Sequence, residues 1–523
     1  MIHYTIEKKR RNKRCHYEEK MEGTMYKKAK PYLISLIFAV YVIFNVVLLC
    51  FHAPWRDEAN VWLMARDLSP LQLLREIKYQ GHPCLWYFLV MPFAKLGLPF
   101  RTIGIISTIV MTVAAGIYLW KGPQWIGIKA LVVFSPIFTY FYPTIARNYC
   151  LIALILILLA WNYSERNEHP VRYGILLGLL VQADTIAIAP AGMIALVWFI
   201  ENVYNRIHTG SMKHLGNCLK GIWIPFVSLL FWIAQFYQVS DSPMFEFQKF
   251  GARELLCEIR NYAYIILIRV TGFSQTVCTL FFVLLLLAAV IVSYRLRNMG
   301  AAVVMLLSYL FQCVFSVMVY QLHIWHYLSL AFTLLWMMWA MQKTAEEKKR
   351  EKDRIYQVAA GVLQVLTGIL AVAMFLHWNS EAEPSNLQQA FYGSYSDGQN
   401  AAEFIREEIA SDEIILSTDV PMESTILAYL KDYRFYYAGS GKVTSYADWS
   451  KEQSQTISWN RIITWCKESF PEKDYIYLIQ GSDSCITDPE KLEEQECIYE
   501  TEGSTVRGEE YRIYRIALKN EKG

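Results

Sequence analysis

The apolar positions of this chain fall in long unbroken runs rather than in alternation. Several approach the roughly 20 residues that a helix needs to cross a hydrocarbon core about 30 Å thick. They occupy 31–52, 101–120, 219–237, 276–293, 300–320, 327–341 and 355–377. The stretches between KGPQW (121–125), YPTIARNY (142–149) and NYSERNEHPVR (162–172) predict two more crossings, and 172–183 with 185–202 predict a short hairpin. Beyond residue 377 the pattern changes to alternating strand and helix signals: GQNAAEFIREEIA and ESTILAYLKDY read as helices, EIILSTD and DYIYLIQ as strands.

Charge assigns the sides. The basic segment 1–30, with KKRRNKR and KKAK, belongs in the cytoplasm, as do the loop 342–354 and the turn YRLRN at 294–298. Parity then requires one apolar segment not to cross. PCLWYFLVMPFAKLG (83–97) is short, aromatic and interrupted by Pro92, so it is read as a helix lying in the external interface. About eleven crossings remain, with the N-terminus inside. Three regions follow: the cytoplasmic segment 1–30, a membrane module 31–377, and an extracytoplasmic α/β accessory domain 378–523. The module has external loops at 53–100 and 238–275. In the second loop Phe245, Phe247, Phe250, Leu255, Leu256 and Ile259 alternate with charges, as in a lid resting on the interface.

Composition agrees: 54% of the 523 residues are hydrophobic. The net charge of +3 says little, because such proteins place charge by side, and nothing points to nucleic acid. The eleven cysteines form no CxxC pair that would suggest zinc or redox chemistry. Cys466, Cys485 and Cys497 leave one disulfide open. No organelle signal is visible, which makes a bacterial plasma membrane the expected location.

The parity argument gathers Asp57, Glu58, His82, Arg101, Arg147, Tyr149, Asp184, His323 and His326 at the external surface. Arginines there can neutralise a phosphate held at headgroup depth, and a carboxylate can deprotonate an incoming hydroxyl. His323 and His326 have ligand-like spacing, but two imidazoles do not make a zinc site. Asp184 reads as the polar tip of its hairpin. No cofactor is specified, and a divalent metal stays open.

WRDEANVWLMARD (55–67), GHPCLWYF (81–88), PFRTIGIIST (99–108) and SPIFTYFYPTIARNYCL (135–151) resemble, in order and spacing, the GT-C glycosyltransferases. More narrowly they are similar to the protein O-mannosyltransferase (family 39) and aminoarabinose-transferase branch. The shared positions are Asp57 and Glu58, then Gly81, His82 and Pro83, then Arg101, then Arg147 and Tyr149. Ile145 and Ala146 stand where that family usually has a Glu before the Arg. The motifs cover 30–200; from 200 to 377 only hydropathy agrees. The resemblance implies a mainly α, polytopic GT-C fold and an inverting transfer of sugar from a polyprenyl-phosphate donor to an extracytoplasmic hydroxyl. That acceptor would be a lipid, a glycan or a protein. It makes Asp57 the general base, with Glu58 orienting Asp57 or an arginine. His82, Arg101, Arg147 and Tyr149 would contact donor phosphate or substrate, and His323 and His326 join them by position. The competing readings are a flippase or transporter, and a polymerase, of lipid-linked sugars.

Overall fold

The computed structural model describes residues 29–210, 212–237, 251–380, 387–449, 453, 455–481, 485–506 and 508–519. The basic segment 1–28 and the lid aromatics Phe245, Phe247 and Phe250 lie outside the described residues.

Among the described residues, eight helices are long and apolar enough to cross a membrane: Ala29–Phe51, Thr102–Lys121, Thr185–Thr209, Lys213–Phe236, Gln275–Leu296, Gly300–Met318, Ile324–Glu347 and Arg354–Trp378. Tyr149–Trp161 and Pro170–Ala183 are shorter and equally apolar. The predicted crossing between KGPQW and YPTIARNY is broken: the Ile126–Val133 helix stops before Pro136, and a π turn follows over Ile137–Phe141. These segments make a multi-pass helical membrane protein. Its flanks carry exposed Phe226, Leu280 and Leu376, whereas Trp336 and Trp339 on the central Ile324–Glu347 helix are fully buried. Without a hydrophobic force between helices in lipid, close backbone approach becomes the means of association. Gly174 and Gly221 provide it, since a Cβ at Gly174 would lie 2.2 Å from the Gly221 carbonyl oxygen.

The segment read as interfacial forms a helix over Leu85–Lys95, 11 residues long. At about 1.5 Å per residue this is roughly half a bilayer core. It packs instead on the Arg56–Asp67 helix. The predicted lid forms a 20-residue helix, Ala252–Thr271, over its second half. That helix packs on Gly300–Met318 and on the helix starting at Arg354, with Ile266 buried.

The C-terminal region builds a six-stranded sheet in the order β3-β2-β1-β4-β6-β5. The strands are β1 (Ile415–Ser417), β2 (Phe435–Tyr437), β3 (Val443–Thr444), β4 (Tyr475–Gln480), β5 (Glu496–Glu500) and β6 (Arg512–Ala517). β1 runs parallel to both β2 and β4, and the remaining pairs are antiparallel. The four predicted elements appear as Gly398–Glu408, β1, Val420–Tyr429 and β4. Cys466, Cys485 and Cys497 are free thiols, the first two buried.

Candidate active site

The Arg56–Asp67 helix begins where the sequence supplies a cap: Glu58, at its third position, accepts the backbone N–H of Trp55 at 3.0 Å. Asp57 therefore sits in the first turn, where exposed N–H groups favour a negative charge. Glu58 itself is fully buried and points away from the cavity. Its other partners are the His52 Nε2 at 3.0 Å and the backbone N–H of Ala146 at 2.7 Å. It touches neither Asp57 nor an arginine side chain. It orients Arg147 indirectly, by fixing the backbone one residue before it.

The irregular turn that presents Arg147 needs such help, because backbone groups at this depth must find protein partners. Ser107 Oγ donates to the Tyr142 carbonyl at 2.6 Å and Thr108 Oγ1 to that of Pro143 at 3.2 Å. Asn148 Nδ2 donates to the Ala183 carbonyl at 2.7 Å. Arg147 is thereby aimed inward, where Nη1 pairs with Asp57 Oδ2 and Nη2 lies 2.7 Å from His82 Nε2. His82 Nδ1 is in turn 3.0 Å from Asp184 Oδ2. A guanidinium only donates, so His82 Nε2 accepts and the ring proton sits on Nδ1, directed at Asp184. Asp184 also accepts from Asn148 Nδ2 at 2.6 Å and from the Ile186 N–H at 2.8 Å. Gly81, with φ +71°, turns the chain so that His82 enters this row. Asp57, Arg147, His82 and Asp184 thus form a continuous chain.

They line a cavity of about 870 Å³ with Arg56, Arg269, Tyr320, His323 and His326. The predicted residues do not all meet there. Tyr149 is buried beside the cavity, its hydroxyl 3.0 Å from His326 Nε2. His323 reaches the wall, but its backbone N–H donates to His326 Nδ1 at 3.0 Å. His326 thereby spends both ring nitrogens on protein. Among the described residues no three His, Cys, Asp or Glu side chains converge as metal ligands would. Arg101 stands outside: it is exposed, and Nη2 donates to Gln399 of the C-terminal region at 3.0 Å.

Of three further contributors, the sequence reads Asp184 only as the polar tip of its hairpin and does not single out the other two. Asp184 carried the signal of a carboxylate alone in an apolar hairpin. Arg269, near the end of its helix, carried that of a charge following IILI. The third is the C-terminal region, which supplies Asp419, Pro421, Met422, Trp449, Thr505 and Val506 to the cavity wall. No local pattern announces that.

A bundle of apolar helices, with irregular loops that gather acid and arginine at one end and an α/β domain over them, is the fold expected from the sequence, and solved structures share it. One of them is ArnT from Cupriavidus metallidurans. Its apo structure matches with a TM-score of 0.50 at 11% sequence identity, covering 93% of this chain and 98% of that one. The same protein bound to undecaprenyl phosphate matches with a TM-score of 0.48 at 10% identity and equal coverage. At such identity the likeness is one of fold. The sequence matches no protein-family model and no curated protein.

Proposed function

We propose that this protein is a bacterial membrane glycosyltransferase that moves a sugar from a polyprenyl-phosphate donor to an acceptor hydroxyl at the outer face, with inversion. The observation that carries the reading is the pairing of Asp57 with Arg147 inside the cavity. Arg147 and Arg269, with Arg56 also in the lining, are guanidinium groups that can hold a donor phosphate. A phosphate arriving there competes with Asp57 for Arg147 and leaves the carboxylate free to act. The acceptor oxygen then attacks the anomeric carbon as its proton passes to Asp57. The bond from that carbon to the phosphate oxygen breaks, and the electron pair leaves with the phosphate against the arginines. A phosphate needs no protonation to leave, so one carboxylate is sufficient.

Binding of undecaprenyl phosphate to the purified full-length protein, followed by native mass spectrometry, tests this. Wild type is expected to bind one lipid, and R147K to bind it about tenfold more weakly, because the bidentate fork is lost. Binding that is indifferent to both Arg147 and Arg269 would overturn the reading.

A further inference from the structure

The wall of the cavity contributed by the C-terminal domain has a chemistry of its own. Its described residues are Asp419, Pro421, Met422, Trp449, Thr505 and Val506, with no cation among them. Among the described lining residues the guanidinium groups, from Arg56, Arg147 and Arg269, belong to the membrane module.

Topology gives the roof its place. The chain leaves β1 to reach β2 on one side and later β4 on the other, both parallel to β1. Sheets of this kind bind ligands in the crevice outside the carboxyl ends of strands where the order reverses. Here those ends lead into Asp419 and Gly481, and Asp419 lines the same cavity as Asp57. Such a crevice commonly receives an anion on backbone N–H groups. In this chain Glu423 already fills it, accepting the N–H of Thr418 at 2.9 Å, of Gly481 at 3.1 Å and of Asp419 at 3.2 Å. Those N–H groups are thus already taken by a carboxylate of the protein, while the described roof presents a carboxylate, a hydroxyl and an aromatic ring. Trp449 adopts φ +53°, a left-handed conformation costly for a bulky residue and concentrated at binding sites.

We propose that this roof is the acceptor subsite and that it takes a neutral, hydroxyl-rich acceptor, a saccharide, whose hydroxyls bond to Asp419 and Thr505 and whose apolar face packs on Trp449. This rests on the transferase reading and adds the class of acceptor to it. A phosphorylated acceptor would meet the Asp419 carboxylate.

The test is saturation-transfer NMR on the full-length protein in detergent. Its probes are neutral methyl glycosides, glucose 6-phosphate and a serine-containing hexapeptide. Saturation is expected to reach the glycosides alone and to weaken about tenfold in W449A and in D419A, the loss of one good contact. W449F, which keeps a ring, should retain most of it and guards against a folding defect. Undecaprenyl phosphate binding should be unchanged in all three variants. Preferential saturation of glucose 6-phosphate or of the peptide would overturn the proposal, as would glycoside signals indifferent to both substitutions. Failure of the transferase reading would show separately, as wild-type protein that does not bind undecaprenyl phosphate.

Discussion

The carboxylate of Glu509 accepts the backbone N–H of Arg56 at 2.9 Å, joining the C-terminal domain to the residue immediately before Asp57. The hold continues along the helix. Asn60 Oδ1 accepts the Ala447 N–H at 2.8 Å, and Arg66 Nη1 donates to the Leu427 carbonyl at 3.3 Å. The domain expected to be an accessory therefore grips the helix that carries Asp57 at its start, middle and end.

Burial pushes the Glu509 carboxyl up from 4.5 to about 7, against the opposing pull of Arg56 and the hydrogen bond from Ser396, and with Asp57 adding to the rise. A raised carboxyl favours the fold fully below its ordinary value, and that contribution is lost as pH climbs through the folded value. Glu509→Gln keeps an acceptor for Arg56 but cannot ionise. Its thermal midpoint is expected to match wild type below about pH 4 and to exceed it above pH 8, the shift corresponding to about 3 kcal/mol. Parallel melting curves at every pH would remove Glu509 as the titrating group.

Asp57→Asn is expected to cost about 10²–10⁴-fold in transfer, the typical worth of a general base. Because Arg147 loses its charged partner, the same variant should bind undecaprenyl phosphate more tightly than wild type. Retention of half the wild-type turnover would reassign the base.

His82 should be found as the Nδ1–H tautomer in the free protein, since Arg147 and Asp184 sit on opposite ring nitrogens. Nitrogen-15 spectra of histidine-labelled protein, with His82→Asn for assignment, read this directly. Asp184→Asn should shift the tautomer balance and lower donor affinity through a loosened Arg147. An Nε2–H ring in wild type would break the chain of contacts.

The Leu85–Lys95 helix is expected to stay on one side of the membrane. After removal of the native thiols, a cysteine at Lys95 should react with an impermeant maleimide in intact cells, and one at Lys121 only after lysis. Lys121 is a better probe than Gly122, where a Cβ would lie 2.4 Å from the Tyr118 carbonyl oxygen. The opposite labelling would mean that the short helix crosses.

The helical fold was legible because a crossing helix must be long and apolar whatever its neighbours are. It was least legible between 126 and 141, where Pro136 and the π turn interrupt a run that hydropathy alone reads as continuous. Asp57 and Arg147 could be found from motif and side, since charge at the apolar boundary needs a reason. Arg101 has the same local signature, yet it serves the contact with Gln399. Only tertiary placement separates snorkelling or docking arginines from those that enter a cavity. Glu509 was out of reach for a different reason, its partner Arg56 lying 453 positions away, and Asp419 and Trp449 reach the cavity from a part of the chain likewise remote from Asp57.

That separation also has a meaning in time. Glu509 and Arg56 are 453 residues apart, so every crossing helix must be synthesised before the bond can close. Contacts this distant form late, after the local ones are in place. A nascent chain already threaded into the bilayer accordingly carries an Asp57 whose helix start is not yet secured. The turn that carries Asp57 gains its full set of partners only when the last domain folds back onto it.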